Sequence, residues 1–145
     1  MLYQNETPIP SQLPNIMASQ QIEIILSRQL ADCLSIPIFI VDIRGNLVYY
    51  NEPAEGILGI RYEETGFMPV EEWSSLFKPE NEKGEPLPAS QLPLVQTLTN
   101  HIPAHGQFWI HSLDGKRHLI DVTSYPIIGR PHRFIGATAI FWKSE

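Results

Sequence analysis

Ile38-Phe39-Ile40-Val41-Asp42-Ile43-Arg44-Gly45-Asn46-Leu47-Val48-Tyr49-Tyr50-Asn51, running on into Glu52-Pro53-Ala54-Glu55, is the stretch whose reading decides the fold. Ile38 to Val41 are β-branched or aromatic, the composition of a strand buried on both faces. Ile43-Arg44-Gly45-Asn46 is turn chemistry, because Gly45 and Asn46 both tolerate positive φ. Leu47 to Tyr50 is the returning strand. Asn51 then reads as the cap of a short helix, with Pro53 in its first turn and Gly59 as its stop.

Upstream, residues 1–14 carry Pro8, Pro10 and Pro14 among polar residues and read as a flexible or extended arm. Residues 15–35 read as an amphipathic helix with Asn15 as a candidate cap. Ile22, Ile25, Leu26, Gln29, Leu30, Cys33 and Leu34 recur at three- and four-residue steps. Ile24 lies off that stripe, so the apolar face is wider than one contact surface requires. Two readings stay open: the helix covers a sheet, or it also buries part of itself against a second copy. Pro37 ends it.

Downstream, Ile60 to Glu85 is irregular, with Trp73, Leu76 and Phe77 on a short helical turn. Pro88 is expected to start a longer helix with Leu92, Val95 and Leu98 on one face, and Pro103 to stop it. The last third reads as three strands, Gln107–His111, His118–Ile128 and Arg133–Trp142. Asp114-Gly115 joins the first two. In the middle strand Ile120, Val122 and Ser124 alternate with Asp121, Thr123 and Tyr125. The final strand's Ile135, Ala137, Ala139 and Phe141 are expected to form an outward apolar face under the first helix or a partner.

The chain has 145 residues, 43% apolar and 18% charged, which suits one domain with a real core. Its apolar runs fall far short of the ~20 residues a membrane helix needs. Met1 to Pro14 shows no secretory signal pattern. The net charge of -6 and the lack of a basic stripe argue against nucleic acid; Lys116-Arg117-His118 is too short to form one. The single cysteine, Cys33, allows neither an internal disulfide nor a CxxC motif, which fits a cytoplasmic setting. No GxSxG, GxxxxGK[ST] or HExxH motif occurs. Asp42 is expected to close the hairpin turn and Asp121 to face outward, so they do not form an acid pair. The expectation is a domain without catalytic activity.

The segment Ile38 to Glu55 resembles the opening of a PAS domain, where an aspartate-turn-glycine hairpin leads to an asparagine that caps a short helix. Gly84-Glu85-Pro86-Leu87-Pro88 with Leu92-Pro93-Leu94 is similar to a PAS subclass whose long central helix begins this way. Asp114-Gly115, Pro126-Ile127 and Ile135-Gly136-Ala137-Thr138-Ala139 resemble its last three strands. The resemblance spans residues 36–143 and implies an α+β fold. A five-stranded antiparallel sheet would carry short helices and a central helix on one face, with an N-terminal amphipathic cap helix.

The family is sensory, and a small molecule or cofactor would sit between sheet and helices. Matching to its flavin-binding light-sensing branch places Phe39, Val41, Ile110, Ile120, Val122, Gly136 and Thr138 on the pocket face. That branch reads the flavin edge with two asparagines and a glutamine and reacts through a cysteine over the ring. Here the matched positions are Ile110, Ile120 and Thr138, and no cysteine stands there, so photochemical flavin binding is not expected. The haem-binding branch takes a histidine early in the central helix, and Ala89 to Val95 has none. His105 and His111 share a strand face without an obvious acidic ligand, so no metal is expected.

What the resemblance leaves is an apolar cavity of Phe39, Val41, Ile110, Ile120 and Val122, with Thr138 as a polar handle and Trp73, Leu76 and Leu98 as a roof. It would hold a mostly apolar ligand, or its lining would simply fill the core. The implied role is a signal-transduction sensor controlling a histidine kinase, nucleotide cyclase or similar output, within this chain or as a partner. The alternative is a ligand-free interaction module. Either would form a homodimer through the first helix and the sheet face. The family's Asp-x-Thr-like junction to an output helix is missing from Phe141-Trp142-Lys143-Ser144-Glu145. A fragment and a stand-alone sensor therefore both remain open.

Overall fold

Strand order β2-β1-β5-β4-β3 makes one five-stranded antiparallel sheet. The computed structural model describes residues 22–144; the expected arm over 1–14 and the start of the first helix over 15–21 lie outside them. A helix, α1, occupies 22–32. Strands β1 (Ile38–Asp42) and β2 (Leu47–Tyr50) form the hairpin read from sequence. The Asp42 carboxylate accepts from the Arg44 and Asn46 amides, both at 2.9 Å, and Gly45 sits at φ 85°.

Helix α2 (Glu52–Leu58) follows at once, capped by the Asn51 side chain and stopped by a left-handed Gly59. Asn51 does more than cap. Its Oδ1 accepts from the Ile38 and Ala54 amides, and its Nδ2 donates to the carbonyls of Ala31 and Ile36. One buried amide thus joins the end of α1 to β1 and α2.

Two short helices, α3 (Tyr62–Thr65) and α4 (Val70–Leu76), lead to a 3-10 turn at Ala89–Gln91 and then α5 (Pro93–Asn100). The central helix is therefore eight residues long and starts at Pro93, not Pro88. Leu92 is extended at its N-cap, and residues before a proline resist the helical region. Pro93 takes the first-turn position that a missing amide tolerates. Strands β3 (Ala104–His111), β4 (Arg117–Gly129) and β5 (Arg133–Lys143) complete the sheet.

The two sheet faces carry separate apolar clusters. Phe39, Val41, Ile120, Val122, Ala137, Ala139 and Phe141 face α2–α5. Ile38, Ile40, Ile127 and Ile135 face α1, which contributes Ile24 and Ala31. This corrects the expectation for β5, whose Ala137, Ala139 and Phe141 point toward the helices and not outward. The pairing shifts between Ile127↔Gly136 and Ile128↔Phe134, leaving Ile135 as an extra residue. Such a bulge changes which face the alternation serves.

The first helix is also turned from its expected position. Ile24 and Ala31 bury against the sheet, while Ile22, Ile25, Leu26 and Leu30 are 55%, 44%, 59% and 57% exposed. The periodic stripe read from sequence lies on the side away from the sheet. At ~3.6 residues per turn, Ile24 and Ala31 share one line and the stripe takes the opposite face.

Candidate ligand-binding site

A cavity of about 90 Å3 lies between the sheet and the helices that cover it. Its floor is Phe39 of β1, Ala139 and Phe141 of β5, Ile120 and Val122 of β4, and Phe108 and Ile110 of β3. Its roof is Leu58, Trp73, Ser74, Phe77 and Pro79, closed by Leu92, Pro93 and Leu94 at the start of α5. The strand period of two delivers these floor residues to one side.

Of the expected cavity residues, Phe39, Trp73, Ile110, Ile120 and Val122 meet around this space, and Val41, Leu76, Leu98 and Thr138 do not. Val41 shares their face but packs, fully buried, in the adjoining core. Leu98 stands near the end of α5, over Gly45 of the hairpin turn, because the helix begins later than expected and its first residues close the cavity instead. Thr138 pairs with Ile40 and Tyr125 and points to the α1 face, so it is no polar handle. The β5 positions on the cavity side are apolar. Gly136 alternates with them as Thr138 does, and a Cβ there would collide with the Val41 carbonyl.

Polar groups around the roof have partners of their own. Trp73 sits edge-on to Phe39 at 5.4 Å, and its indole N–H donates to the Gly45 carbonyl at 2.7 Å. α4 is thereby fastened to the β1–β2 turn. Tyr50 stacks on Phe39 at 5.8 Å and donates to the Ile60 carbonyl, and burial raises its phenol pKa. Thr97 of α5 and Ser124 of β4, both fully buried, pair their hydroxyls at 2.6 Å.

A second fastening was not legible in sequence. Glu80 exchanges two backbone hydrogen bonds with Trp109, adding a short extended segment to the β3 edge. Its carboxylate then holds Arg117 of β4 at 2.7 Å and His111 of β3 at 3.1 Å. Arg117 also lies over the Trp109 ring, 3.9 Å from its centre. Arg117 first, and His111 second, hold the Glu80 carboxyl below its usual range. This latch fixes the chain that carries Phe77 and Pro79 into the roof. Glu80 lies 31 residues from His111, so strand spacing gave no sign of it.

His105 contacts Thr123, and His101 ends α5 in a left-handed conformation, stacked on Phe134. No group of three metal-ligating side chains occurs among the described residues. Among them no helix is long and apolar enough to cross a membrane. Cys33 is exposed, just past the end of α1.

Residues 26–90 match the family model of the PAS domain. No curated protein matches the chain. The fold is similar to the PAS domain of BvgS from Bordetella pertussis, with a TM-score of 0.62 at 14% identity, over 85% of this chain and 87% of that one. It is similar to the PAS domain of nitrogen regulation protein NR(II) from Vibrio parahaemolyticus, with a TM-score of 0.58 at 16% identity, over 82% and 98%. The Rhodobacter sphaeroides LOV protein aligns with a TM-score of 0.66 at 14% identity, over 88% and 68%.

Proposed function

We propose that the chain is a PAS domain, a sensory module without catalytic activity that binds a small apolar ligand and passes the event to an output. The single observation that carries this reading is the cavity, whose floor and roof are almost wholly apolar. Such concave apolar sites are the usual places for small ligands. Phe39, Trp73, Ile110, Ile120 and Val122, with Phe108 and Phe141, are the contacting side chains. The output is a kinase, cyclase or comparable regulator, as a further domain or a partner. One exposed cysteine suits a cytoplasmic setting.

The test is a native mass spectrum of the purified chain, followed by denaturation. A mass excess lost on denaturing supports the reading. An unliganded mass, together with no thermal shift in a panel of apolar compounds, sinks it.

The exposed stripe on α1 favours a homodimer, which serves the ligand-free alternative equally. Ile22, Ile25, Leu26 and Leu30 fit a helix-to-helix seam with a second copy. Deleting α1 would also uncover Ile38 and Ile40, so charges on the stripe make the cleaner test. Ile25→Lys with Leu26→Glu is expected to leave a folded monomer by light scattering. A dimer unchanged by these charges would count against the seam.

A further inference from the structure

We propose that the cavity selects one uncharged aromatic ring over carboxylated or purely aliphatic molecules of the same size; this rests on the ligand-binding reading above. Three observations carry it.

The first is the kind of surface presented. Phe39, Trp73, Phe77, Phe108 and Phe141 all border the space. Ring faces are negative and ring edges positive, so an aromatic guest finds offset and edge-on partners that a saturated ring does not. The Phe39–Trp73 pair, at 67° between planes, already has that edge-on arrangement.

The second is the absence of a counter-charge in the lining. Among the described residues no Lys, Arg or His borders the space. The Arg117 of the nearby latch is spent on Glu80 and on the Trp109 ring. The Trp73 N–H is spent on Gly45. Ser74, half-buried, supplies the one hydroxyl in the lining among the described residues. A carboxylate placed here would lose its water and gain no cation.

The third is size. An engineered cavity of ~150 Å3 lined by Leu, Ile and Phe binds benzene. At about 90 Å3, this cavity is of a size for one ring, and two fused rings are expected to need a movement of the roof.

The experiment titrates the full chain with benzene, cyclohexane, benzoate and naphthalene, following thermal shift and ligand-observed NMR. Benzene is expected to bind about five- to tenfold more tightly than cyclohexane. It should exceed benzoate by about a hundredfold or more. Naphthalene should bind more weakly than benzene. Cyclohexane binding as tightly as benzene overturns the aromatic preference while the ligand-binding reading stands. Benzoate binding as tightly as benzene overturns the preference for uncharged guests. Naphthalene binding more tightly overturns the single-ring size. If none of the four binds, the inference and the reading it rests on fall together. Ala139→Leu fills the floor and is expected to abolish benzene binding with the circular dichroism unchanged. Ile110→Phe does the same from β3 should the first variant fail to fold. Benzene binding retained in a folded, filled variant places the ligand elsewhere and overturns the assignment.

Discussion

The two faces of the sheet solve the same packing problem differently. On the α1 side, Ile38, Ile40, Ile127 and Ile135 meet Ile24 and Ala31 of a single helix. On the other, four short helices and an irregular segment cover a larger aromatic surface and leave a void. A straight helix presents one continuous ridge that a twisted sheet can match. A roof assembled from short pieces is held at its fastenings, here Trp73 on Gly45 and Glu80 on Arg117 and His111, and fits less closely between them. The unfilled space is therefore a property of how that roof is built. The α1 side has a different defect: Thr138, 2% exposed, has a hydroxyl without a hydrogen-bond partner among the described residues.

Asn51 holds both faces, so its loss should be felt most. Asn51→Leu removes four side-chain hydrogen bonds, three of them buried, and is expected to cost about 4–5 kcal/mol in denaturant unfolding. A loss below about 2 kcal/mol would mean that the cap, and not the link to α1, is what matters.

Truncations should then separate the faces. Ile40→Ala, in the closely packed layer, is expected to cost about 3–4 kcal/mol. Ile120→Ala, on the floor of an existing void, should cost about 2 kcal/mol, because fewer contacts are lost. Equal losses would show the two layers to be equally well packed. Thr138→Val keeps the shape and removes the orphan hydroxyl, so it should stabilise by about 1 kcal/mol. Destabilisation would reveal a partner for that hydroxyl.

The smallest effects are those of pH, and they divide by face. Glu80, held low by Arg117 and His111, stabilises the native state above the ordinary carboxylate range. That contribution fades as pH falls through its lowered value, so acid should loosen the cavity roof first. Tyr49 donates to Asp32 and lies beneath Arg28, and burial, then the Asp32 bond, pushes its phenol up to about 12. Its contribution is complete below the ordinary tyrosine value and is lost as pH rises through the raised one. Alkali should therefore loosen α1 first. Hydrogen exchange at low and high pH reads both, and a Glu80→Gln variant should flatten only the acid limb.

Much of the fold was legible from local chemistry. Asp42, Gly45 and Asn51 announce a turn and a cap through bonds made within a few residues, and Asp114-Gly115 does likewise. The face assignment in β5 was not legible, because the bulge at Ile135 arises from pairing with β4. The side that α1 turns inward was also hidden: Ile24 and Ala31 are a sparse pair beside the fuller stripe of Ile22, Ile25, Leu26 and Leu30. Of the cavity, the floor residues Ile110, Ile120 and Val122 followed from the resemblance, with clean alternation along β4 beside it. The roof depends on where α5 begins, and Pro88 and Pro93 both suit a first turn. The Glu80 latch joins side chains that only the folded sheet edge brings together.

The sheet order also governs when the molecule can form. β1 and β5 are neighbours, with Ile38 opposite Ile140, so a central seam joins residues about a hundred positions apart. That seam closes a long loop before it returns any stabilisation, which makes for slow, late assembly. During synthesis the β1–β2 hairpin and its capped helix must wait, with one edge of β1 unpaired, until β5 has left the ribosome. A chain arrested before Arg133 should accordingly remain protease-sensitive along its whole length, including the hairpin whose local sequence is the most strongly specified.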